Sequence, residues 1–472
     1  MTTLRFHGSA AVLLLPLALF VAVTARLFIS EAAFDLTGLA AAGVLTLFSG
    51  SLLAKAPSEY WKAAVRGASS ELTGTVVLIL IASGIFSAMM KASGVADGLV
   101  FLGGMLHLTG HAFTVFVLLA SSLMAAATGS SIGTLLAAMP IFFPAGVALG
   151  ADPAMLAGAV LSGAIFGDNL APVSDVTVIS SVTQRFRDGT PADIAGVVRT
   201  RLPYAMTALA VSMPVYAFMG ASRPVSEAAL SGDASALLML VPVAVLIAVA
   251  VRTRDVLMAI SAGVVTGTAT GLLIGRLSFA TIFAAVDGRL SGFLISGISN
   301  VSPIILLCVT LFAFTGIVRE AGVPDMMAKA LEAGSAGRPS ALRTELFLSA
   351  ATLVVTTLFA AVTSASVALV GSLTDDIGRA SNVHPYRRSH ILSGLANSLP
   401  VLMPFSAFVL ITMAAVSGLE GAAAVTPFTL MTAAFYPIAL FLVFGFMVLT
   451  GTGRMMETPE PEAAEAKTAT AL

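Results

Sequence analysis

The sequence predicts an all-α polytopic membrane protein built as an inverted repeat, with five spans and one re-entrant hairpin per half and broken helices at mid-membrane. Three observations predict this fold. The chain of 472 residues is 57% hydrophobic and 10% charged, with a mean hydropathy of +0.98, whereas soluble domains carry about 25% charged residues. Its apolar residues form many runs of membrane-spanning length, and short motifs recur in the same order in both halves. The net charge of −1 gives no sign of a nucleic-acid partner.

Ten apolar runs predict transmembrane helices, since a span needs about 20 predominantly apolar residues. They lie near residues 10–29, 36–54, 73–90, 153–182, 202–220, 236–251, 256–274, 303–318, 390–415 and 425–450. The first is interpreted as an uncleaved span rather than a signal peptide. Two further runs, 112–148 and 345–372, are interrupted by the hydroxyl-rich motifs 128–131 and 363–366. Each interruption predicts a broken span or a re-entrant hairpin with its polar tip at mid-membrane.

The distribution of Lys and Arg favours hairpins. Cytoplasmic loops carry the excess of positive residues, and with two hairpins every Lys/Arg cluster falls on the cytoplasmic side together with both termini. These clusters are Lys55/Lys62/Arg66, Arg185/Arg187/Arg199/Arg201, Arg252/Arg254, Arg338/Arg343 and Arg379/Arg387/Arg388. The expected location is the cell inner (plasma) membrane.

Short sequence matches predict two repeats. Residues 91–97 match 319–325, and 169–172 match 397–400, both at an offset of 228 (319 − 91 and 397 − 169). The hydroxyl-rich motifs recur at an offset of 235 (363 − 128). An odd number of crossings per half inverts the second half, which is the plan of secondary transporters with sites at the repeat interface. The predicted units are a first repeat at 1–220, a connecting loop at 221–235, a second repeat at 236–452 and a disordered cytoplasmic tail at 453–472.

The strongest functional signal is the stretch 167–175, inside an apolar run. It places two carboxylates, Asp168 and Asp175, where one charge costs about 2.5–3.5 kcal/mol on insertion scales. Pro172 lies between them and lacks the N–H that a continuous helix needs, so we expect the helix to break there. Unwound backbone at this depth is tolerated only where it lines a cavity or is buried in protein. Two acids beside freed carbonyl groups predict a cation site, with Asp175 alternatively capping the second half-helix.

Oxygen-bearing side chains at the interruptions complete the predicted cavity, because a hard cation such as Na⁺ takes oxygen ligands. The first-half candidates for binding the cation or proton are Asp168, Asp175, Asn169, Thr128, Ser130, Ser131, Ser174 and Thr177. The second-half candidates are Thr363, Ser364, Ser366, Asn397 and Ser398, with Pro400 as the second helix break. The second set contains no carboxylate, so we expect one charged site and a polar counterpart. Ser and Thr hydroxyls often bond only the preceding turn or a neighbouring helix, and Asn397 has the alternative role of satisfying backbone groups near Pro400.

Residues 167–177, Gly-Asp-Asn-Leu-Ala-Pro-Val-Ser-Asp-Val-Thr, resemble the G-D-K-x-S-P-x-S-D-T-T stretch of NhaC-type sodium/proton antiporters. Residues 128–134 are similar to that family's T-G-T-S-W-G-T segment. The family is part of the wider ion-transporter superfamily, and the resemblance implies inverted repeats with two hairpins and two broken helices. Asn169 stands at the position of the family's lysine, and its first paired threonine and its tryptophan are also replaced. The loss of that lysine removes a candidate counter-cation beside Asp168.

Three functions compete. The leading hypothesis is a sodium/proton antiporter working by alternating access, with Na⁺ and H⁺ competing for Asp168 and Asp175. The second is a sodium-coupled carrier of a small organic solute, a carboxylate or an amino acid, as the resemblance implies for some superfamily relatives. No Arg or Lys is predicted inside a span to hold a carboxylate, although hydroxyls, amides and half-helix ends also suit that role. A channel or membrane enzyme is disfavoured, because the sequence has no metal-ligand cluster, nucleotide motif or nucleophile–base pair. The expected partners are Na⁺, H⁺ and the lipid bilayer, no cofactor is expected, and a homodimer is left open.

Overall fold

The computed structural model describes residues 4–7, 10–26, 36–221, 233–253, 255–286, 288–322 and 340–457. Within these ranges the chain is mostly helical, and the strands β1 Ala284–Val286 and β2 Arg289–Ser291 form one short antiparallel pair. The predicted all-α membrane fold is confirmed by many long apolar helices. Most of the predicted connecting loop (222–232) and the end of the predicted tail (458–472) lie outside the described residues.

The helices of the described residues are numbered in chain order. They are α1 Leu14–Ala25, α2 Leu36–Leu53, α3 Pro57–Ala68, α4 Glu71–Ser93, α5 Val95–Met105, α6 Gly110–Thr128, α7 Ser131–Ala148, α8 Pro153–Leu170, α9 Asp175–Val182, α10 Ile194–Met219, α11 Val241–Thr253, α12 Val256–Leu273, α13 Phe279–Ile282, α14 Phe293–Glu320, α15 Ala341–Leu358, α16 Thr363–Ala380, α17 Pro385–Ala396, α18 Ala407–Val416, α19 Pro427–Ala433 and α20 Phe435–Thr450. Turns of 3-10 helix lie at Ala10–Leu13, Ala234–Leu240, Leu399–Leu402 and Ala422–Ala424. Nine helices of the described part are long and apolar enough to cross a bilayer, or up to eleven if each of two bent pairs is one span. The predicted count of ten spans and two hairpins stays a prediction.

The first hydroxyl-rich interruption is the tip of a helical hairpin, α6–α7. The N–H of Gly110, at the start of α6, donates to the carbonyl of Leu149, just after α7, at 2.8 Å, so the two helices are antiparallel. Gly129 at the tip has a φ of 69°, the left-handed conformation that ends many helices and suits glycine. Ser130 then caps α7 by accepting from the N–H of Gly133 at 3.0 Å. The arms have 19 and 18 residues, which is close to a full crossing and more than a turn at mid-membrane needs.

A second hairpin, α15–α16, is built in the same way. The hydroxyls of Thr344, near the start of α15, and Ser381, just after α16, are hydrogen-bonded at 2.7 Å. Its turn contains Ala360 and Ala361, with φ values of 51° and 58°. The predicted tip residues 363–366 instead form the first turn of α16. The hydroxyl-rich motif therefore identified the hairpin but lies just past its tip.

Both predicted helix breaks are present. Residues 171–174, which include Pro172, separate α8 from α9, and residues 397–406, which include Pro400, separate α17 from α18. The segment Pro385–Leu402, which comprises α17 and the following 3-10 turn, bends by 52° relative to α18 across residues 403–406. Because proline has no N–H and clashes with the preceding turn, neither gap can be closed as continuous helix.

Each hairpin tip lies against the broken helix of its own half. A Cβ added to Gly129 at the first tip would lie 2.6 Å from a side-chain carbon of Val173, inside the first break. At the second tip, the carbonyl of Ala360 accepts from the N–H of Ala407, the first residue of α18, at 2.8 Å. In both halves the interruptions that the sequence revealed are therefore packed together.

The broken helices of the two halves run in opposite directions. The N–H of Asp152, at the start of α8, donates to the carbonyl of Gly220, just past the end of α10, at 3.0 Å. At the start of α17, the hydroxyl of Tyr386 donates to Asp193, the N-cap of α10. Since α10 is one helix of 26 residues, or about 39 Å at 1.5 Å per residue, α8 and α17 begin at opposite ends of it.

Helix starts recur at a constant spacing in the two halves. Helices α16, α17 and α18 begin 232 residues after α7, α8 and α9 respectively (363 − 131, 385 − 153 and 407 − 175). This spacing pairs Pro172 with Pro404, whereas the sequence offset of 228 paired it with Pro400. The sequence matches were thus out of structural register by four residues, about one helical turn. The division into two equivalent repeats remains a prediction, which the spacing supports.

Candidate cation-binding site

Asp168 lies in the last turn of α8 with only 5% of its surface exposed. Two glycines on α8 let the helix approach α6 closely. A Cβ added to Gly163 or Gly167 would lie 2.4 Å from the carbonyl oxygen of Leu118 or Ser122, respectively. This backbone contact fixes the end of α8 against the hairpin and directs Asp168 into the interior.

The first hairpin contributes a hydrogen-bond donor to the Asp168 carboxylate. The hydroxyl of Ser131, the first residue of α7, donates to Asp168 Oδ2 at 2.9 Å. The hydroxyl of Ser174, from the helix break, lies beside the same carboxylate without completing a hydrogen bond of good geometry. Thr177, one turn further on, is also fully buried and has no hydrogen-bond partner among the described residues. The buried Asp168 carboxylate and the Ser174 hydroxyl beside it are oxygen groups of the kind that a hard cation takes as ligands.

Asp175 occupies a different environment. It is the first residue of α9 and is exposed, while Ser174 holds the N-cap position. Its charge acts on Asp168 through space, and the positive N-terminal end of α9 favours an anion there. The structure therefore places one predicted acid inside the protein and the other at the surface of the break.

Thr128 and Ser130 are engaged within the hairpin itself. The Thr128 hydroxyl donates to the carbonyl of Met124 at 2.9 Å, and Ser130 caps α7. Thr128 also lines a largely apolar pocket between the hairpin and the α11–α12 pair. Of the three predicted tip residues, Ser131 is the one whose hydroxyl bonds Asp168.

Asn169 joins four helices through its side chain and its carbonyl group. Its Nδ2 donates to the Tyr436 hydroxyl at 3.2 Å, and its Oδ1 accepts from Ser393 at 3.1 Å and from Arg201 Nη1 at 3.1 Å. Arg201 Nη1 also donates to the Asn169 carbonyl at 2.8 Å and to the Ser393 hydroxyl. The end of α8 is thereby tied to α10, α17 and α20.

The sequence-based assignment of Arg201 to a cytoplasmic cluster is wrong. Arg201 is fully buried, and its charge acts on Asp168 through space. The error came from the helix boundary, because the apolar run began at residue 202 whereas α10 begins at Ile194. The available signal was Asp193, an N-cap residue type that would have placed Arg201 two turns inside the helix. A buried cation beside Asp168 was therefore missed.

Arg387 and Arg388 were also expected on the cytoplasmic surface, and both are fully buried in α17. Arg387 donates to the Glu345 carboxylate from Nε at 2.9 Å and from Nη2 at 3.1 Å. Arg388 Nη1 donates to Asp375 at 2.8 Å. Both side chains follow the rule that a buried charge is paired.

Among the described residues, the side chains of two second-half candidates bond only carbonyl groups of their own turns. Ser366 and Ser398 donate to the carbonyls of Val362 and Leu395 in their own turns, at 2.8 and 2.6 Å. Thr363 is buried and Ser364 is half-buried at the start of α16. Asn397, the residue after α17, is fully buried, and neither atom of its amide has a partner within the described part of the chain.

Two antiparallel hairpins lie on two broken helices, with a buried acid at one break, and secondary transporters hold their sites at discontinuous helices of this kind. Residues 3–221 match the Na⁺/H⁺ antiporter family. This matched part of the chain, which carries Asp168 and the first hairpin, is similar to that family, as the resemblance to NhaC-type antiporters predicted.

Two similar proteins are named as antiporters. The chain is 33% identical over 158 residues to the malate-2H⁺/Na⁺-lactate antiporter of Bacillus subtilis, covering 34% of this chain and 32% of that protein. It is 28% identical over 280 residues to the Na⁺/H⁺ antiporter NhaC of Alkalihalophilus pseudofirmus, covering 54% of this chain and 58% of that protein. The matched part thus spans about a third of the first relative and somewhat more than half of the second.

Among solved structures, the YdaH transporter of Alcanivorax borkumensis matches with 12% identity and a TM-score of 0.39, over 83% of this chain and 88% of that chain.

Proposed function

We propose that the protein is a secondary active transporter that exchanges Na⁺ for H⁺ across a membrane by alternating access. The observation that carries the proposal is the buried Asp168 carboxylate at the break between α8 and α9, bonded by Ser131 from the hairpin tip. The unpaired hydroxyls of Ser174 and Thr177 and the freed carbonyls of the break supply further oxygen ligands. The family match of residues 3–221 supports the same assignment.

Competition at one carboxylate is sufficient for exchange. The ionised form of Asp168 binds Na⁺, whereas the protonated form is neutral and does not. Each ion therefore leaves the site when the other enters, and exchange follows if the occupied site faces the two sides of the membrane in turn.

The arrangement of the helices supports alternating access. In inverted-repeat transporters, two equivalent halves of opposite orientation rock around a site at their interface. Here the broken helices α8 and α17 begin at opposite ends of α10, and three helix starts recur at the same spacing. We assign the two halves as an inverted repeat, with the arginine-rich loop between α9 and α10 and both termini on the cytoplasmic side of the inner membrane.

A second candidate is a sodium-coupled carrier of a small organic solute. It is favoured by Arg201, because a buried cation next to the sodium site suits an anionic solute. The relative from Bacillus subtilis, whose name includes malate and lactate, agrees with this candidate.

Sodium binding measured by calorimetry at several pH values, without any organic solute, tests the exchange. One competing proton predicts a rise in the apparent sodium Kd of up to about tenfold per pH unit below the pKa of the shared carboxyl group. Saturating sodium should restore full occupancy at each pH, which separates competition from acid inactivation. A sodium affinity that stays constant between about pH 5 and pH 9, where buried carboxyl groups commonly titrate, would contradict the exchange mechanism.

A further inference from the structure

The guanidinium group of Arg201 makes all its hydrogen bonds among the described residues through one nitrogen, Nη1. Nη1 is held by Asn169 and Ser393. Nε and Nη2 are buried and have no hydrogen-bond partner among the residues that the structure describes. These two nitrogens form one edge of the planar group, and their N–H bonds point in the same direction. Burying a charged donor without an acceptor costs free energy, so we expect this edge to bind an acceptor from a ligand.

The same edge binds carboxylates elsewhere in this protein. Arg387 and Arg454 both direct Nε and Nη2 to the two oxygens of Glu345, at distances between 2.9 and 3.2 Å. This two-donor geometry matches a carboxylate better than any single charge does. By contrast, Arg201 forms no ion pair with a carboxylate of the described residues at hydrogen-bond distance, and Asp168 affects it only through space.

A second unpaired group lies on the neighbouring helix. Asn397 follows Ser393 by four residues, so it lies on the same face of α17, about 6 Å further along the axis. Ser393 accepts from Arg201, and the Asn397 amide is fully buried with its oxygen and its nitrogen both unpaired. Arg201, which contacts Ser393, therefore offers a carboxylate-binding edge, and Asn397, one helical turn beyond Ser393, offers both a donor and an acceptor.

We propose that the Nε/Nη2 edge of Arg201 binds the carboxylate of a small organic acid and that the Asn397 amide binds a second polar group of the same molecule. The proposal deepens the sodium-transport function above and rests on it for the coupling. With Na⁺ on ionised Asp168, the charge of Arg201 leaves the buried site one unit positive. A singly charged carboxylate such as L-lactate restores neutrality, and the added positive charge favours any organic anion, so Na⁺ and the acid should raise each other's affinity by the same factor.

Calorimetry on the purified protein tests the binding, with the potassium salts of L-malate, L-lactate and acetate as probes in buffer that contains saturating sodium. L-malate and L-lactate should bind, and acetate should bind more weakly because it has no second polar group for Asn397. Arg201→Lys keeps the charge but loses the two-donor edge, so the affinity for L-malate should fall at least tenfold. Arg199→Lys is the matched control, since Arg199 is exposed on the same helix, and it should leave the affinity unchanged.

Two outcomes would overturn the proposal: no binding of any of the three acids to the wild-type protein, or full affinity in Arg201→Lys. If thermal unfolding shows that Arg201→Lys does not fold, Asn397→Ala decides the question. Asn397→Ala should lower the affinity for L-malate and L-lactate but not for acetate. Unchanged affinities relative to one another would refute the assignment of Asn397.

Sodium titrations with and without L-malate separate this inference from the proposed function. Sodium that binds in competition with protons, with an affinity unaffected by L-malate, would leave the exchange function standing and overturn the carboxylate site. L-malate binding that depends on Arg201, together with a sodium affinity independent of pH, would support the carboxylate site and remove the exchange mechanism.

Discussion

The carboxylate of Asp168 is the charge on which the proposed sodium site depends. Asp168→Asn keeps the shape of the side chain and removes the charge, so the sodium Kd should rise more than about hundredfold, because losing one partner of a buried ion pair costs about 3–5 kcal/mol. Calorimetry measures the change. Asp175→Asn should have a much smaller effect, since Asp175 is exposed. Sodium binding of wild-type strength in Asp168→Asn would show that the cation lies elsewhere.

Ser131 links the hairpin tip to that carboxylate. Removing its hydroxyl takes a donor from the ionised form of Asp168, and hydrogen bonds to charged groups are worth about 1.5–3 kcal/mol. We therefore expect Ser131→Ala to weaken sodium binding by about tenfold or more. Ser122→Ala is the control, because Ser122 is a buried hairpin serine that bonds only the carbonyl of Leu118 in its own helix. Equal effects of the two substitutions on the sodium Kd would argue against a specific role for Ser131.

At the scale of single residues, the sequence located Asp168 and Ser131 but not the buried Arg201 near them. Aspartate in an apolar run is conspicuous because its insertion is costly. Arg201 was read as a loop residue, since positive charges near the end of an apolar run usually flank a membrane. Its burial depends on Asn169 and Ser393, which are 32 and 192 residues away in the chain. Asp193 is a local signal for the start of α10, but no local pattern identifies these distant partners.

The contact between α6 and α8 positions the acid, and glycine makes the contact possible. A Cβ at residue 167 would meet the backbone oxygen of Ser122 at 2.4 Å, and backbone cannot give way as a flexible side chain does. Gly167→Ala should destabilise the protein by about 1–3 kcal/mol through overpacking and should weaken sodium binding by displacing Asp168. Thermal unfolding and calorimetry measure the two effects. Gly445→Ala should change neither, because an added methyl group there has open space.

The start of α10 depends on Asp193, which also holds α17. Its carboxylate accepts from the N–H of Gly196 at 2.6 Å and from the Tyr386 hydroxyl. The hydroxyl and the amide lower the pKa of Asp193 below its usual value. A folded-state pKa below the unfolded one stabilises the protein above the unfolded pKa, and this contribution is lost as the pH falls through the folded pKa.

Asp193→Ala should therefore destabilise the protein near pH 7 by about 0.5–2 kcal/mol, the usual effect of a lost N-cap. The difference from wild type should shrink below about pH 4, where the unfolded carboxyl group is protonated. Thermal unfolding at a series of pH values measures it. Asp193→Asn keeps a capping oxygen without the charge, so it should remove the pH dependence but retain much of the stability. A pH-independent deficit in Asp193→Ala would contradict this account.

At the scale of the whole molecule, the sequence predicted the interruptions better than the connections between them. Pro172 and Gly129 act locally, through a missing N–H and a left-handed turn, and both interruptions are where they were expected. The offset of 228 from the sequence matches differs by four residues from the spacing of 232 between the helix starts, because short matches around Asn169 and Asn397 do not depend on where helices begin. The pairing of each hairpin tip with its break arises from packing between distant segments, which short matches do not encode.

The opposite directions of the two broken helices lead to a last prediction, on orientation in the membrane. Asp188 is exposed in the arginine-rich loop after α9, and Glu420 is exposed after α18, next to Gly421, whose added Cβ would contact Pro153 at the start of α8. These two residues thus lie at opposite ends of the segment formed by α8 and α9. The native Cys308 is buried, so a cysteine introduced at either position should be the reactive one.

With the arginine-rich loop in the cytoplasm, a membrane-impermeant maleimide should label Asp188→Cys in inside-out vesicles and Glu420→Cys in right-side-out vesicles. The wild-type protein is the control and should remain unlabelled in both. Labelling of both variants from the same side would contradict the antiparallel arrangement of α8 and α17. Labelling of each from the side opposite to that expected would preserve the arrangement but reverse the orientation, and would place the termini outside the cytoplasm.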